Sequence, residues 1–188
     1  MDGTMTDSRT MGLPGEPAGP ALIERILRVD HAGEYGAVRI YEGQLAVLGR
    51  DSEAGRAIAR MAEQERAHLE TFDKLLPERR ARPTALQPLW HAAGFALGVG
   101  TALLGEKAAM ACTVAVEETI DAHYRSQIEA LPDDEGDLKA TLERFRRDEV
   151  AHKDEALERG AQAAPGYEAL AAAIKAGSRL AIWLSSRI

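Results

Sequence analysis

Two short stretches carry side chains that can bind a metal together: Glu65 with His68, and Glu149 with His152. Each is a Glu-x-x-His pair. Residues three apart on an α-helix project from one face, so each pair can aim a carboxylate and an imidazole at one point. The segments around them match too, at Arg60/Arg144, Ala67/Ala151 and Glu70/Asp154. A single Glu-x-x-His pair is commonplace in a helical sequence, so its weight depends on what else in the chain repeats.

The preceding segments repeat as well. Tyr41-Glu-Gly-Gln44-Leu45-Ala-Val-Leu48 aligns with Tyr124-Arg-Ser-Gln127-Ile128-Glu-Ala-Leu131, and this alignment sets Glu34 on Glu117, each seven residues before its Tyr. Seven residues is nearly two helical turns, so each Glu shares a face with its Tyr. Glu34 to Glu65 is 31 residues and Glu117 to Glu149 is 32, so a whole helical hairpin is duplicated. Glu34, Glu65, His68, Glu117, Glu149 and His152 together form the ligand set of ferritin-like di-iron and di-manganese carboxylate bundles. Charge agrees with this. Four carboxylates balance two divalent ions and the imidazoles stay neutral, which removes the cost of placing Glu34 on an apolar helical stripe. Carboxylate and imidazole ligands without thiolate suit iron or manganese. Asp148, four residues before His152, is a candidate to orient it, with Gln64 in the equivalent place before His68. Asp121 is a candidate hydrogen-bond partner for a ligand His.

The elements that must position these residues are all helical. Leu22, Ile23, Ile26, Leu27, Val38, Tyr41, Leu45 and Leu48 follow a three-and-four spacing that Gly49 ends. Asp51 or Ser52 is placed to cap a second helix that Pro77 stops. These two form a first hairpin at about 21–76. A basic, Pro-containing connector leads to a segment at about 84–105 without charged residues and rich in Gly, which weakens a helix. It is short for a membrane span, so the expectation is a crossover helix that is buried or lies on a membrane surface. A second hairpin occupies about 106–160, with Asp133 or Asp134 as a cap for its second helix and Gly160 as its stop. An Ala-rich C-terminal helix follows at about 167–185. The expected fold is therefore all-α: a ferritin-like four-helix bundle of two duplicated hairpins, with an apolar crossover helix and an extra C-terminal helix. Residues 21–188 read as one domain and residues 1–20 as a disordered lead that is not a secretory signal.

Composition narrows the function. With 188 residues and one Cys, the chain can form no internal disulfide and no Cys-rich zinc or iron–sulfur site. A net charge of -7 argues against nucleic acid as a partner.

Four blocks carry a family resemblance: Arg28-Val-Asp-His-Ala-Gly-Glu34-Tyr-Gly-Ala, Glu65-Arg-Ala-His68, Ala111-Cys-Thr-Val-Ala-Val-Glu117-Glu-Thr-Ile-Asp-Ala-His123-Tyr124, and Asp148-Glu-Val-Ala-His152. From Ala21 onward the chain resembles the di-iron demethoxyubiquinone hydroxylases of ubiquinone biosynthesis, as a bacterial member. The resemblance implies a monooxygenase that hydroxylates the ring of a long-tailed demethoxyubiquinol with O2. It implies two iron ions, with manganese as the alternative, and NADH or another electron donor, since no dinucleotide-binding Gly pattern follows a strand. It also implies catalytic roles for His123 and Tyr124, with Tyr124 relaying a proton or electron or contacting the ring. The partners it implies are a polyprenyl quinol, a membrane surface and other ubiquinone-biosynthesis proteins. The expected location is peripheral, on the cytoplasmic face of the bacterial inner membrane. The alternative with the same six ligands is a ferritin-like iron oxidase and storage subunit.

Overall fold

The computed structural model describes residues 19–188, and most of the expected N-terminal lead lies outside that range. Six α-helices follow in order: α1 Pro20–Leu48, α2 Glu53–Glu78, α3 Gln87–Leu103, α4 Glu106–Ala130, α5 Gly136–Glu158 and α6 Tyr167–Ser185. A 3-10 turn at Ala161–Ala163 precedes α6. No strand occurs among the described residues. The bundle consists of two hairpins, α1–α2 and α4–α5, with α3 packed mainly on α1 and α6 on α4.

Local chemistry sets most of the boundaries. Gly49, at φ 69°, ends α1, and Ser52 caps α2 by accepting from the Gly55 amide at 2.9 Å. Pro77 does not stop α2 at Leu76. It sits in the last turn, where one missing donor is tolerated, and the helix ends at Glu78. Neither Asp133 nor Asp134 caps α5, because the helix starts beyond them at Gly136 without a side-chain cap.

Two apolar clusters fill the bundle. At one end Ile26, Leu27, Phe72, Tyr124, Leu142 and Phe145 pack together, and at the other Tyr41, Ile58, Met61, Met110, Val114 and Ala156 do so. On each of the four bundle helices, the buried Glu and His residues fall between a residue of one cluster and a residue of the other. The polar residues therefore form a layer walled by hydrocarbon on both sides.

The glycines of α3 serve close packing. A methyl group built on Gly98 would collide with the Ile40 carbonyl oxygen, and one on Gly94 would lie 2.9 Å from the Gly36 carbonyl oxygen. Gly43 on α1 likewise faces the Phe95 carbonyl. The helix formers given up in α3 allow its backbone to rest directly on α1. Gly98→Val is expected to push α3 off α1 and destabilise the fold by about 1–3 kcal/mol. The measurement is urea unfolding, and an unshifted midpoint would contradict this packing.

Candidate metal centre

Glu34 and Glu117 come from the middle of α1 and α4, and the two Glu-x-x-His pairs from α2 and α5. All six residues are buried. Glu34, Glu65, His68 and Glu149 form one group that could hold a metal ion, and Glu65, Glu117, Glu149 and His152 form a second, each with its ligand-type atoms within 4.8 Å of one another. Glu65 and Glu149 belong to both groups, so each could serve two ions.

The unsatisfied atoms test the fit. Both oxygens of Glu65 and of Glu149, one oxygen each of Glu34 and Glu117, and Nδ1 of His68 and His152 are buried without a hydrogen-bond partner. Native interiors rarely leave polar atoms in this state, and here they face one another across short gaps. His152 Nδ1 is 3.0 Å from Glu65, and His68 Nδ1 is 3.4 Å from Glu149 and 3.5 Å from Glu34. Two cations at the centre of these atoms would satisfy them together, so the residues fit a two-metal site.

The contacts around the cluster run between hairpins. His68 Nε2 meets the Asp148 carboxylate at 3.1 Å, and His152 Nε2 meets Gln64 Oε1 at 3.0 Å. Donation from Nε2 leaves the Nδ1 lone pair directed into the cluster. Asp148 therefore orients His68 and not His152, because the facing helix of the other hairpin brings it closer than its own helix does. Tyr41 donates to Glu117 at 2.6 Å and Tyr124 donates to Glu34, again across the hairpins. Asp121 bonds no histidine. It accepts from Arg146 at 2.6 Å and from Arg125 at 3.1 Å, which ties α4 to α5 at the surface.

Electrostatics reflect the crowding. Burial raises the pKa of Glu34 well above the carboxylate range, and repulsion from Glu65 adds to this. Glu117 is raised by burial and then by Glu149. Burial works against a charged His152, yet Glu149 and Glu65 beside it lift its pKa to about 9. Metal ions bound there would displace the protons that these raised groups favour.

His123 does not join this cluster. It lines a neighbouring pocket of about 630 Å³ between α1, α4 and α6, together with Arg25, Lys175 and Arg179. Burial, then Arg25, lowers its pKa to about 4, so the ring is neutral and its Nε2 lies 2.9 Å from the Gln127 amide. The same amide donates to buried Asp30 at 2.7 Å. Burial raises Asp30 to about 8 against the pull of that hydrogen bond. Asp30 had a sequence signal, a carboxylate one turn before Glu34 on an apolar stripe, but its partner Gln127 lies 97 residues away.

A second cavity of about 520 Å³ runs between α1, α3, α4 and α6, lined by apolar and small side chains that include Gly33, Ala37, Leu97, Val116 and Ile174. Gly33 and Val116 immediately precede Glu34 and Glu117, so this groove passes over the two helices that carry those carboxylates. Leu89, Phe95, Leu103 and Leu104, in or just after α3, and Leu180 and Trp183 on α6 are exposed. No described helix is long and apolar enough to cross a membrane.

Comparison with known proteins gives concordant matches. Residues 21–185 match the family described as ubiquinone biosynthesis protein COQ7. The chain is 62% identical over 176 residues to the 3-demethoxyubiquinol 3-hydroxylase of Rhodospirillum rubrum, covering 94% of this chain and 83% of that one. It is 50% identical over 184 residues to the human mitochondrial NADPH-dependent 3-demethoxyubiquinone 3-hydroxylase, covering 96% and 84%. Against the mitochondrial 5-demethoxyubiquinone hydroxylase of Saccharomyces cerevisiae the identity is 40% over 184 residues, covering 89% and 79%. Across nearly all of its described length, this chain belongs to the ubiquinone biosynthesis protein COQ7 family.

Proposed function

We propose that this protein is a bacterial monooxygenase that hydroxylates the ring of a long-tailed demethoxyubiquinol. The reaction consumes O2, two electrons and two protons, puts one oxygen atom on the ring carbon and releases the other as water. The observation that carries this reading is the apolar groove passing over the helices that hold the buried Glu and His cluster. A storage subunit would need the cluster but not a groove for a lipid. Two iron ions, with manganese as the alternative, would be held by Glu34, Glu65, His68, Glu117, Glu149 and His152 and would supply the activation of O2.

The protein's own contributions follow from its geometry. The apolar layers on either side of the cluster keep bulk water away. The Tyr41 and Tyr124 hydroxyls hold the Glu117 and Glu34 carboxylates in place. Ala32, Gly33, Gly36 and Ala37 on α1 leave room for an isoprenoid tail in the groove between α1, α3, α4 and α6. A proton route to the cluster from the pocket between α1, α4 and α6 would pass His123 and Asp30, whose Nε2 and Oδ1 atoms are 3.8 Å apart and would need a bridging water to exchange a proton. Arg25 and Arg179 give the same pocket the charge to receive an anionic reductant such as a nicotinamide dinucleotide, while Lys175 there is paired with Glu118.

The exposed apolar side chains of α3 and α6 support a peripheral attachment to membrane, with the cytoplasmic face of the inner membrane as the site where the quinol and other ubiquinone-biosynthesis proteins would meet it. The decisive experiment supplies purified protein with iron, reductant, O2 and demethoxyubiquinol in vesicles. Mass spectrometry should find the hydroxylated quinol. Uptake of iron without any hydroxylated product would refute the assignment.

Asp30→Asn keeps the shape and the contact with Gln127 but removes the proton that Asp30 holds below about pH 8. Turnover is expected to fall by about 100-fold, with metal content unchanged. Wild-type turnover should decline as pH rises through about 8, because Asp30 then loses its proton. A rate equal to wild type in the variant would remove Asp30 from the route.

A further inference from the structure

The cluster is nearly two-fold symmetric. Glu34 corresponds to Glu117, Glu65 to Glu149 and His68 to His152, and Glu34 and Glu117 each accept a tyrosine hydroxyl from the opposite hairpin. Among the described residues, the hydrogen bonds made to the ligands differ in kind at one pair only. Behind His68 the acceptor is the carboxylate of Asp148, and behind His152 it is the neutral amide of Gln64, at almost the same distance.

The difference has a chemical consequence at the opposite side of each ring. A charged acceptor draws the Nε2 proton toward itself more strongly than a neutral one and concentrates electron density on Nδ1, the atom turned to the cluster. His68 is thereby the stronger donor, and Asp148 also adds a negative charge beside its half of the site. The side chain of Asp148 is 34% exposed, so solvent moderates this advantage without abolishing it.

Taking the cluster as a two-metal centre, we propose that its two positions are unequal. The position of Glu34, Glu65, His68 and Glu149 retains its ion more tightly than the position of Glu65, Glu117, Glu149 and His152. The Asp148/Gln64 difference sets the gap. Both are positioning residues that act through a ligand imidazole.

The test is stepwise metal release. Protein loaded anaerobically with Mn(II) is equilibrated with graded EDTA, and manganese per chain is measured by mass spectrometry. Wild type is expected to lose one ion at about 10–100-fold lower chelator activity than the other. Asp148→Asn should close the gap by weakening the tighter position. Gln64→Glu should close it from the other side, through stronger retention of the weaker ion, a gain that a damaged fold cannot produce. Asp148→Glu should keep the wild-type gap. Coupling through the shared Glu65 and Glu149 could separate the two losses by itself, but such a gap would not respond to these substitutions. Release of both ions in one step by wild type, or a wild-type gap in both Asp148→Asn and Gln64→Glu, would overturn the proposal. Failure of wild type to take up two ions under any loading would strike the two-metal reading itself.

Discussion

Glu149→Ala is expected to empty the metal centre and abolish hydroxylation while the helices remain. Both oxygens of Glu149 are buried without a partner, and the residue belongs to both candidate metal groups. Glu34 and Glu117 each belong to one group, whereas loss of Glu149 opens both. Removing even an indirect partner of a metal ligand costs about 10–100-fold in affinity or activity, so loss of a residue common to both groups should exceed that. Folding is a separate matter. The apolar clusters on either side of the polar layer do not include Glu149, and the four bundle helices are joined through them. Circular dichroism should therefore show near wild-type helix content, while elemental analysis shows far fewer than two ions per chain. Retention of two ions, or quinol hydroxylation at the wild-type rate, would exclude Glu149 from the site.

The double variant Leu103→Glu/Leu104→Glu is expected to detach the protein from lipid. These two leucines are the most exposed large apolar side chains described, at 70% and 68%, and they sit where α3 ends. Burying a leucine in an apolar phase is worth about 1.5–3 kcal/mol. Loss of two such contributions, replaced by carboxylates facing an anionic surface, should weaken vesicle binding by at least about 100-fold. Both positions point away from the core, so the fold and the metal content should be unaffected. Turnover of a long-tailed quinol in vesicles should collapse, and turnover of a short-tailed, water-soluble analogue should persist. Equal loss on both substrates would mean that these leucines do not dock the enzyme on lipid. Unchanged flotation with vesicles would refute the membrane face directly.

The parts legible in the sequence are those governed by local repeats. Glu-x-x-His is confined to one turn of one helix, and the seven-residue step from Glu34 to Tyr41 or from Glu117 to Tyr124 lies within another. The apolar spacing on α1 and the stop at Gly49 are equally local. Asp148 shows where that reasoning ends. Its position four residues before His152 suggested a contact along its own helix, yet it meets His68, 80 residues away. Asp121 similarly turned outward to two arginines. Along α3, glycine reads from propensity as weakness, and only the carbonyl oxygens of α1 against it explain why a larger residue is absent.

By itself, the sequence determined which six residues gather and that two hairpins supply them, because helical periodicity converts spacing into a shared face. The tertiary structure alone decided that each hairpin steadies the buried Glu and His residues of the other, that Asp30 faces Gln127, and that a groove runs over the helices bearing Glu34 and Glu117. Those contacts join helices whose residues are far apart in the chain. Their pairing depends on how the two hairpins pack, and no spacing along a single helix encodes it.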